Sequence, residues 1–196
     1  MTPRRLATAL VVFLAAVALG WGLMTMLSRA LRTPEPPDEE TPPVAAAPAP
    51  AGPAVPRIRA KLFFASEDGR SLVAVEREVP LGDSLVAQAR ALVQAQLTEA
   101  PPKPLAGTIP EGTALRGVFL SDRNAFVDLD STIRVKHPGG SMNELLTVYT
   151  IVNAVTVNLP DVEQVQVLID GREVDTLAGH VDLRQPLRKN ESLIQP

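Results

Sequence analysis

The sequence has no cysteine and only two histidines, His137 and His180, among its 196 residues. The first absence excludes disulfides, thiolate zinc sites, thiol nucleophiles and acylation on cysteine. The second excludes a histidine-rich metal centre and leaves a histidine-based triad little to build from. Aromatic residues make up only 4% of the chain, and the single tryptophan, Trp21, lies in an apolar N-terminal stretch. That is poor material for the stacking platforms on which glycans are held. No sign of charge dominates: the formal net charge is −3. Nucleic acid is therefore not the expected partner, because it calls for a basic face. Neither a G-x-S-x-G elbow nor a G-x-x-x-x-G-K-[ST] loop occurs.

What is present begins with a short basic start, residues 1–5 with Arg4 and Arg5, followed by the uncharged run Leu6 to Leu27. About 20 apolar residues rising 1.5 Å each cover a bilayer core of about 30 Å. A membrane helix is expected over 6–28, with Trp21 in the interfacial belt. A cleavable signal peptide is the alternative; its apolar region is normally about 7–15 residues, shorter than this run, but Ser28-Arg29-Ala30 loosely matches a small-x-small cleavage site. The positive residues flanking the run are nearly balanced. A short N-terminal tail ahead of a first apolar segment favours a single-pass chain whose C-terminal part lies outside the cytoplasm. Residues 29–56 then form a Pro/Ala-rich linker, including TPEPPDEETPPVAAAPAPAGPAVP. Proline removes backbone donors and favours extended polyproline II at about 3.1 Å per residue, so no packing is expected there.

The folded domain is expected over 57–187, followed by a loose tail over 188–196. Arg57 to Ser66 and Ser71 to Pro80 alternate as strands about the Asp68-Gly69 turn. Asp83-Ser84 opens a helix whose apolar face carries Leu85, Ala89, Leu92 and Val93, with Gln96 interrupting it and Gln88 turned away. Thr113 to Ser121 and Ala125 to Val135, the latter firm as far as Asp130, read as a second pair of strands. Ser141 with Glu144 three residues on has the form of a capping box. The stripe Leu145, Val148, Val152, Val155 and Leu159 makes the following segment an amphipathic helix that Pro160 ends. Val162 to Ile169, the Asp170-Gly171 turn and Arg172 to Leu177 give a final pair of strands. The order ββα-ββα-ββ implies an α+β fold: a small mixed or antiparallel sheet of about five to six strands, with two helices packed on one face.

Few residues suggest chemistry. Asp128 and Asp130 share one side of a strand, and paired carboxylates can do acid/base work or bind a divalent cation. No pattern supplies the further oxygen ligands, and capping a turn, accepting from backbone or facing solvent suits them better. His180 near Asp182 is half of a triad without its nucleophile, because Ser141 is accounted for as a helix cap. Gly139-Gly140-Ser141 at a helix start could hold an anion through backbone N–H groups, though a cap suffices. Arg116, Arg134, Lys136 and Arg172 are scattered as on a solvated face. No catalytic, cofactor-binding or metal-ligating residue is assigned, and no enzymatic activity or cofactor is expected.

The domain as a whole resembles the GerMN domain, the sporulation and spore germination domain of GerM-like bacterial envelope proteins. The matching residues are Lys61-Leu62-Phe63-Phe64, Ile109-Pro110-Glu111-Gly112-Thr113, Val127-Asp128-Leu129, Gly140-Ser141, Ile151-Val152-Asn153, Val165 to Gly171, and Gly179-His180 with Asp182-Leu183. They extend over roughly residues 58 to 187. Asn153-Ala154-Val155 departs from the family, which more often has a threonine here. The resemblance implies an extracytoplasmic α+β domain akin to the ring-building folds of envelope machines, with no established catalytic residues. The expected role is that of a membrane-anchored, non-enzymatic binding or assembly module of the cell envelope, with protein partners or further copies of itself. A peptidoglycan-binding accessory to a hydrolase, or to sporulation and germination machinery, is the alternative.

Overall fold

The computed structural model describes residues 56–195. The expected cytoplasmic tail, membrane segment and nearly all of the linker lie outside the described residues. Among those described, no helix is long and apolar enough to cross a membrane.

The chain begins with two antiparallel strands, β1 (Arg57–Ala65) and β2 (Leu72–Pro80). Their connection is set by Asp68, whose carboxylate accepts from Ser66 Oγ at 2.6 Å and from the Arg70 amide at 3.1 Å. Gly69 supplies the positive φ, +65°. Helix α1 (Leu85–Thr98) starts at Ser84, whose hydroxyl accepts from the Ala87 amide as an N-cap. After a loop, β3 (Leu115–Ser121) and β4 (Asn124–Leu129) form a second antiparallel pair. A single turn of helix, α2 (Thr132–Val135), precedes the main helix α3 (Ser141–Thr156). Three strands close the chain: β5 (Gln164–Ile169), β6 (Arg172–Glu173) and β7 (Leu187–Arg188).

The α+β class is as expected, but the strands form two sheets rather than one. β1 and β2 stand alone; the other sheet runs β3-β4-β5 with β6 and β7 both along the far edge of β5. The β4–β5 pair is parallel, in the register Val127↔Val167. A parallel neighbour needs a crossover, and α3 supplies it. Such long-range pairing leaves no local pattern in the sequence.

Helix α3 lies between the two sheets. Val148, Ile151, Val152 and Val155 join the inward residues of β3, β4 and β5 (Val118, Val127, Leu129, Val165, Val167) in the larger core. Leu146 and Ala154 pack with Phe63, Ala65 and Leu72 of the hairpin in a smaller one. A helix buried on both flanks is expected to be apolar nearly all round, and only its first turn is exposed. Full burial of a leucine or phenylalanine contributes about 1.5–3 kcal/mol, and Leu62, Phe63, Leu72, Leu92 and Leu183 are at this limit.

Other expectations are corrected. β4 stops at Leu129 and does not run on to Val135, because Asp130 Oδ2 accepts from Thr132 Oγ1 at 2.6 Å and turns the chain into α2. The return strand beyond Gly171 lasts only two residues. Residues 188–195, expected to be loose, are held. Asn153, buried in α3, accepts from the Asn190 amide at 3.0 Å and donates to the Asn190 carbonyl at 3.3 Å. Ile194 bridges to Leu72 in parallel fashion, and the Gln195 amide donates to the Leu72 carbonyl.

Candidate functional site

The densest polar cluster is at the start of α3, and the sequence misassigns it. Ser141 caps nothing: it is the first helical residue, preceded by Gly140 at φ +87° with no side-chain cap. Glu144 does not reach back to close a capping box. It is fully buried and points at the loop between β6 and β7. Its Oε1 accepts from the amides of Leu177 and Ala178, both at 2.9 Å. Its Oε2 accepts from the His180 amide at 2.8 Å and lies 3.0 Å from His180 Nδ1. Burial alone raises the Glu144 pKa; the amides of Ala178 and His180 and the His180 ring more than offset this and hold it below its ordinary value. An ionised carboxylate can only accept, so the imidazole proton sits on Nδ1. The pattern S-x-x-E fits both roles, and only the folded loop distinguishes them.

This arrangement binds the chain to itself. A catalytic carboxylate needs a free lone pair facing a substrate, whereas those of Glu144 are met by backbone amides and a histidine from one loop. His137 is likewise structural: its Nδ1 accepts from the Gly139 amide at 3.0 Å, and its Nε2 lies 3.2 Å from Thr147 Oγ1. Asp182, the third member of the imagined triad, pairs with Arg184 at 2.7 Å. The side-chain hydrogen bond from that guanidinium brings its pKa down to about 2.

The two strand aspartates are not brought together. Asp128 Oδ1 accepts from the Gly171 amide at 2.7 Å, and its Oδ2 from Arg116 Nε at 3.2 Å. It thereby ties the turn after β5 to β4. Asp130 accepts from the Ala114 amide and from Thr132 Oγ1. Burial pushes its pKa up, and the bonds from Thr132 and Ala114 bring it lower overall. The Asp170-Gly171 turn has positive φ at both residues, +52° and +75°. Of the scattered cations, Arg134 and Arg172 line one open cleft of about 450 Å³ with Asp170 and Glu173. Arg116 serves Asp128 and Asp170, and Lys136 donates to the Glu111 carbonyl. Among the described residues, no group of three or more His, Asp or Glu could hold a metal ion.

What the sequence reading missed is the treatment of strand edges. The outer edge of β1 is closed from Lys61 to Ala65. The Lys61 amide and carbonyl meet the Asn158 side chain, both at 2.8 Å. Those of Phe63 meet Gln96 at 2.8 and 2.9 Å. Those of Ala65 meet the backbone of Ala106. Gln96, which interrupts the apolar face of α1, is buried for this purpose. Gln88, expected to face away, is buried as well and bonds to the Gly82 amide and the Pro80 carbonyl. A primary amide matches the spacing of one residue on a strand edge, donor to carbonyl and acceptor to N–H. No periodicity announces this; a lone glutamine on an apolar helix face is the only trace.

The outer edge of β3 is different. Across the two-residue turn Asp122-Arg123, Ser121 pairs with Asn124. Alternation then directs the backbone of Phe119 and Gly117 toward β4, and that of Val118 and Leu120 away from it. The phase is fixed from the other side, because the Leu129 and Arg123 carbonyls accept from β5 and its flanks. Among the described residues, no hydrogen bond reaches the Val118 or Leu120 backbone from another element. Phe119 is 58% exposed, lies over Gly117 and pairs across the strands with Phe126. A side chain at Gly117 would push the Phe119 ring aside.

Comparison with known proteins follows the same lines. A family model described as Germane, sporulation and spore germination, matches residues 61–175, more than half of the chain. No curated protein matches the sequence. Among solved structures, a candidate lipoprotein from Clostridium perfringens is 24% identical. The match covers 73% of this chain and 95% of that one, with a TM-score of 0.49. The tandem GerMN domains of the sporulation protein GerM from Bacillus subtilis are 16% identical. Here 68% of this chain and 46% of that one are covered, with a TM-score of 0.52, so this chain spans about half of the tandem protein. The first GerMN domain of the same protein is 17% identical over 68% of this chain and 96% of that one, with a TM-score of 0.48. The likeness to the tandem domains, at 16% identity and a TM-score of 0.52, is one of fold, and it is the family model that decides: the chain belongs to the Germane family of sporulation and spore germination domains.

Proposed function

We propose that this chain is a membrane-tethered, extracytoplasmic and non-enzymatic binding or assembly module of the bacterial cell envelope. The observation that carries the reading is that each candidate catalytic group is occupied in holding the fold. Glu144 is filled by loop amides and His180, Asp128 by Gly171 and Arg116, and Asp130 by Ala114 and Thr132. A sheet edge flanked by an exposed phenylalanine is by contrast the kind of feature that protein partners use. The tether rests on the uncharged run Leu6 to Leu27 and the Pro/Ala-rich linker behind it.

Fractionation and crosslinking of the full-length chain in a bacterial envelope test this. The chain is expected to sediment with membranes and to be digested by protease added outside the cytoplasmic membrane. A crosslinker is expected to capture it in complexes. A strictly solitary chain, or one protected inside the cell, would contradict the reading.

A further inference from the structure

We infer that β3 is a self-association edge, on which a second copy of this chain pairs its own β3 in antiparallel register centred on Phe119. This rests on the binding-module reading and gives it a surface and a partner. Centring the two-fold axis on Phe119 places Val118 opposite Leu120 of the second copy, and the reverse. Both residues direct backbone N–H and C=O groups away from β4, so both pairs are hydrogen-bonded. Phe119 faces its own image in the closer, non-hydrogen-bonded position, where Cα atoms lie about 4.5 Å apart. The exposed ring, lying over its own Gly117, gains an aromatic partner. Gly117 faces Ser121 of the second copy, so small residues flank the rings.

Charge favours the same register. Three residues from the centre in opposite directions stand Arg116, at the bulge of β3 and paired with Asp128 and Asp170, and Asp122 in the turn, so each copy brings its arginine toward the other's aspartate. The Arg116 side chain is half exposed and Asp122 is exposed at the turn.

The outer edge of β2, also incompletely paired, does not suit self-pairing. On β2 the groups facing outward belong to Leu72, Ala74, Glu76 and Glu78. Pairing two copies about Glu76 or Arg77 sets glutamates opposite each other, which is destabilising. Pairing about Val75 meets the C-terminal segment already bonded at Leu72. The Glu76 and Glu78 carbonyls also accept from Arg77 and Arg57. One strand pair buries little area and is weak in dilute solution; confinement to a membrane raises the effective concentration.

The chain has no cysteine, so one introduced cysteine reports alone. The full-length protein in membranes is oxidised carrying Phe119→Cys, Ser121→Cys or Glu76→Cys. A disulfide needs Cα atoms within about 7 Å, which only position 119 meets in this register, so its dimer yield should exceed the others by about tenfold. Adding Asp122→Asn to Phe119→Cys should lower the yield about two- to fivefold. Equal yields at 121 or 76, no dimer at 119, or indifference to Asp122→Asn would overturn the inference. A photoreactive phenylalanine analogue at 119 separates the two levels. Adducts only with other proteins overturn self-pairing and leave the binding module standing, whereas no adduct of any kind overturns both.

Discussion

The two antiparallel strand pairs of this domain treat their outer edges in opposite ways. β1 has its outward backbone groups at Lys61, Phe63 and Ala65 taken by Asn158, Gln96 and Ala106. β3 leaves those of Val118 and Leu120 without such partners among the described residues, and sets an exposed Phe119 beside them. An unpaired strand edge is a template for another chain, and folded proteins usually cover or charge it. Sealing most of one edge with side-chain amides while leaving another apolar and open favours pairing at the second. The same contrast separates the polar groups that hold the fold from the surface available to a partner.

The strongest way to break the closed half is Glu144→Ala. It leaves the Leu177, Ala178 and His180 amides without their acceptor and should cost about 3 kcal/mol, read by urea denaturation. The carboxylate also carries a pH signature. Its folded pKa is depressed, so its stabilisation is present above the ordinary glutamate value and fades as pH falls through the lower folded value. Acid unfolding should therefore shift upward in pH on removing other stabilising contacts, and Glu144→Gln should flatten the pH dependence of stability below about pH 4.5. Gln96→Leu strands the buried Phe63 amide and carbonyl and should cost about 2 kcal/mol in the same assay. Asn158→Ala exposes the Lys61 groups to water, which replaces the lost amide, so about 1 kcal/mol is expected. Phe119→Lys lies at the other end of the scale: stability should change by less than about 0.5 kcal/mol, because the ring is exposed, while crosslinked complexes of the full-length chain are lost, because two like charges then face each other at the centre of the pair. A large destabilisation by Phe119→Lys would place that ring in the core and dissolve the contrast.

Much of the fold was legible, and the reason is local. Alternation in RIRAKLFFAS, the Asp-Gly turns at 68–69 and 170–171, and Ser84 ahead of α1 all act within a few residues, and the structure has each where the pattern puts it. The parallel β4–β5 pairing and the separation into two sheets depend on where α3 packs, and no window of sequence contains that. The polar residues were the least legible. Glu144 sits in a perfect capping-box spacing, yet its carboxylate goes to residues more than thirty positions downstream. Gln96 and Gln88 look like flaws or exposed positions on α1 and are instead buried clamps. Burial of an amide is decided by the partner it finds, and that partner arrives only with the tertiary fold. For Asp128 and Asp130 the sequence leaves a turn cap, a backbone acceptor and a solvent-facing residue as alternatives; both accept from a backbone amide, each has a side-chain partner as well, and Asp128 is buried.

Residue-resolved hydrogen exchange compares the two edges most directly. The Phe63 amide, held by Gln96, should exchange slowly both in dilute solution and in vesicles carrying the full-length chain. The Val118 and Leu120 amides should exchange fast when dilute and slow down in the vesicles, where copies meet. Rapid exchange at Phe63, or slow exchange at Leu120 in the dilute chain, would contradict the division into a sealed edge and an open one.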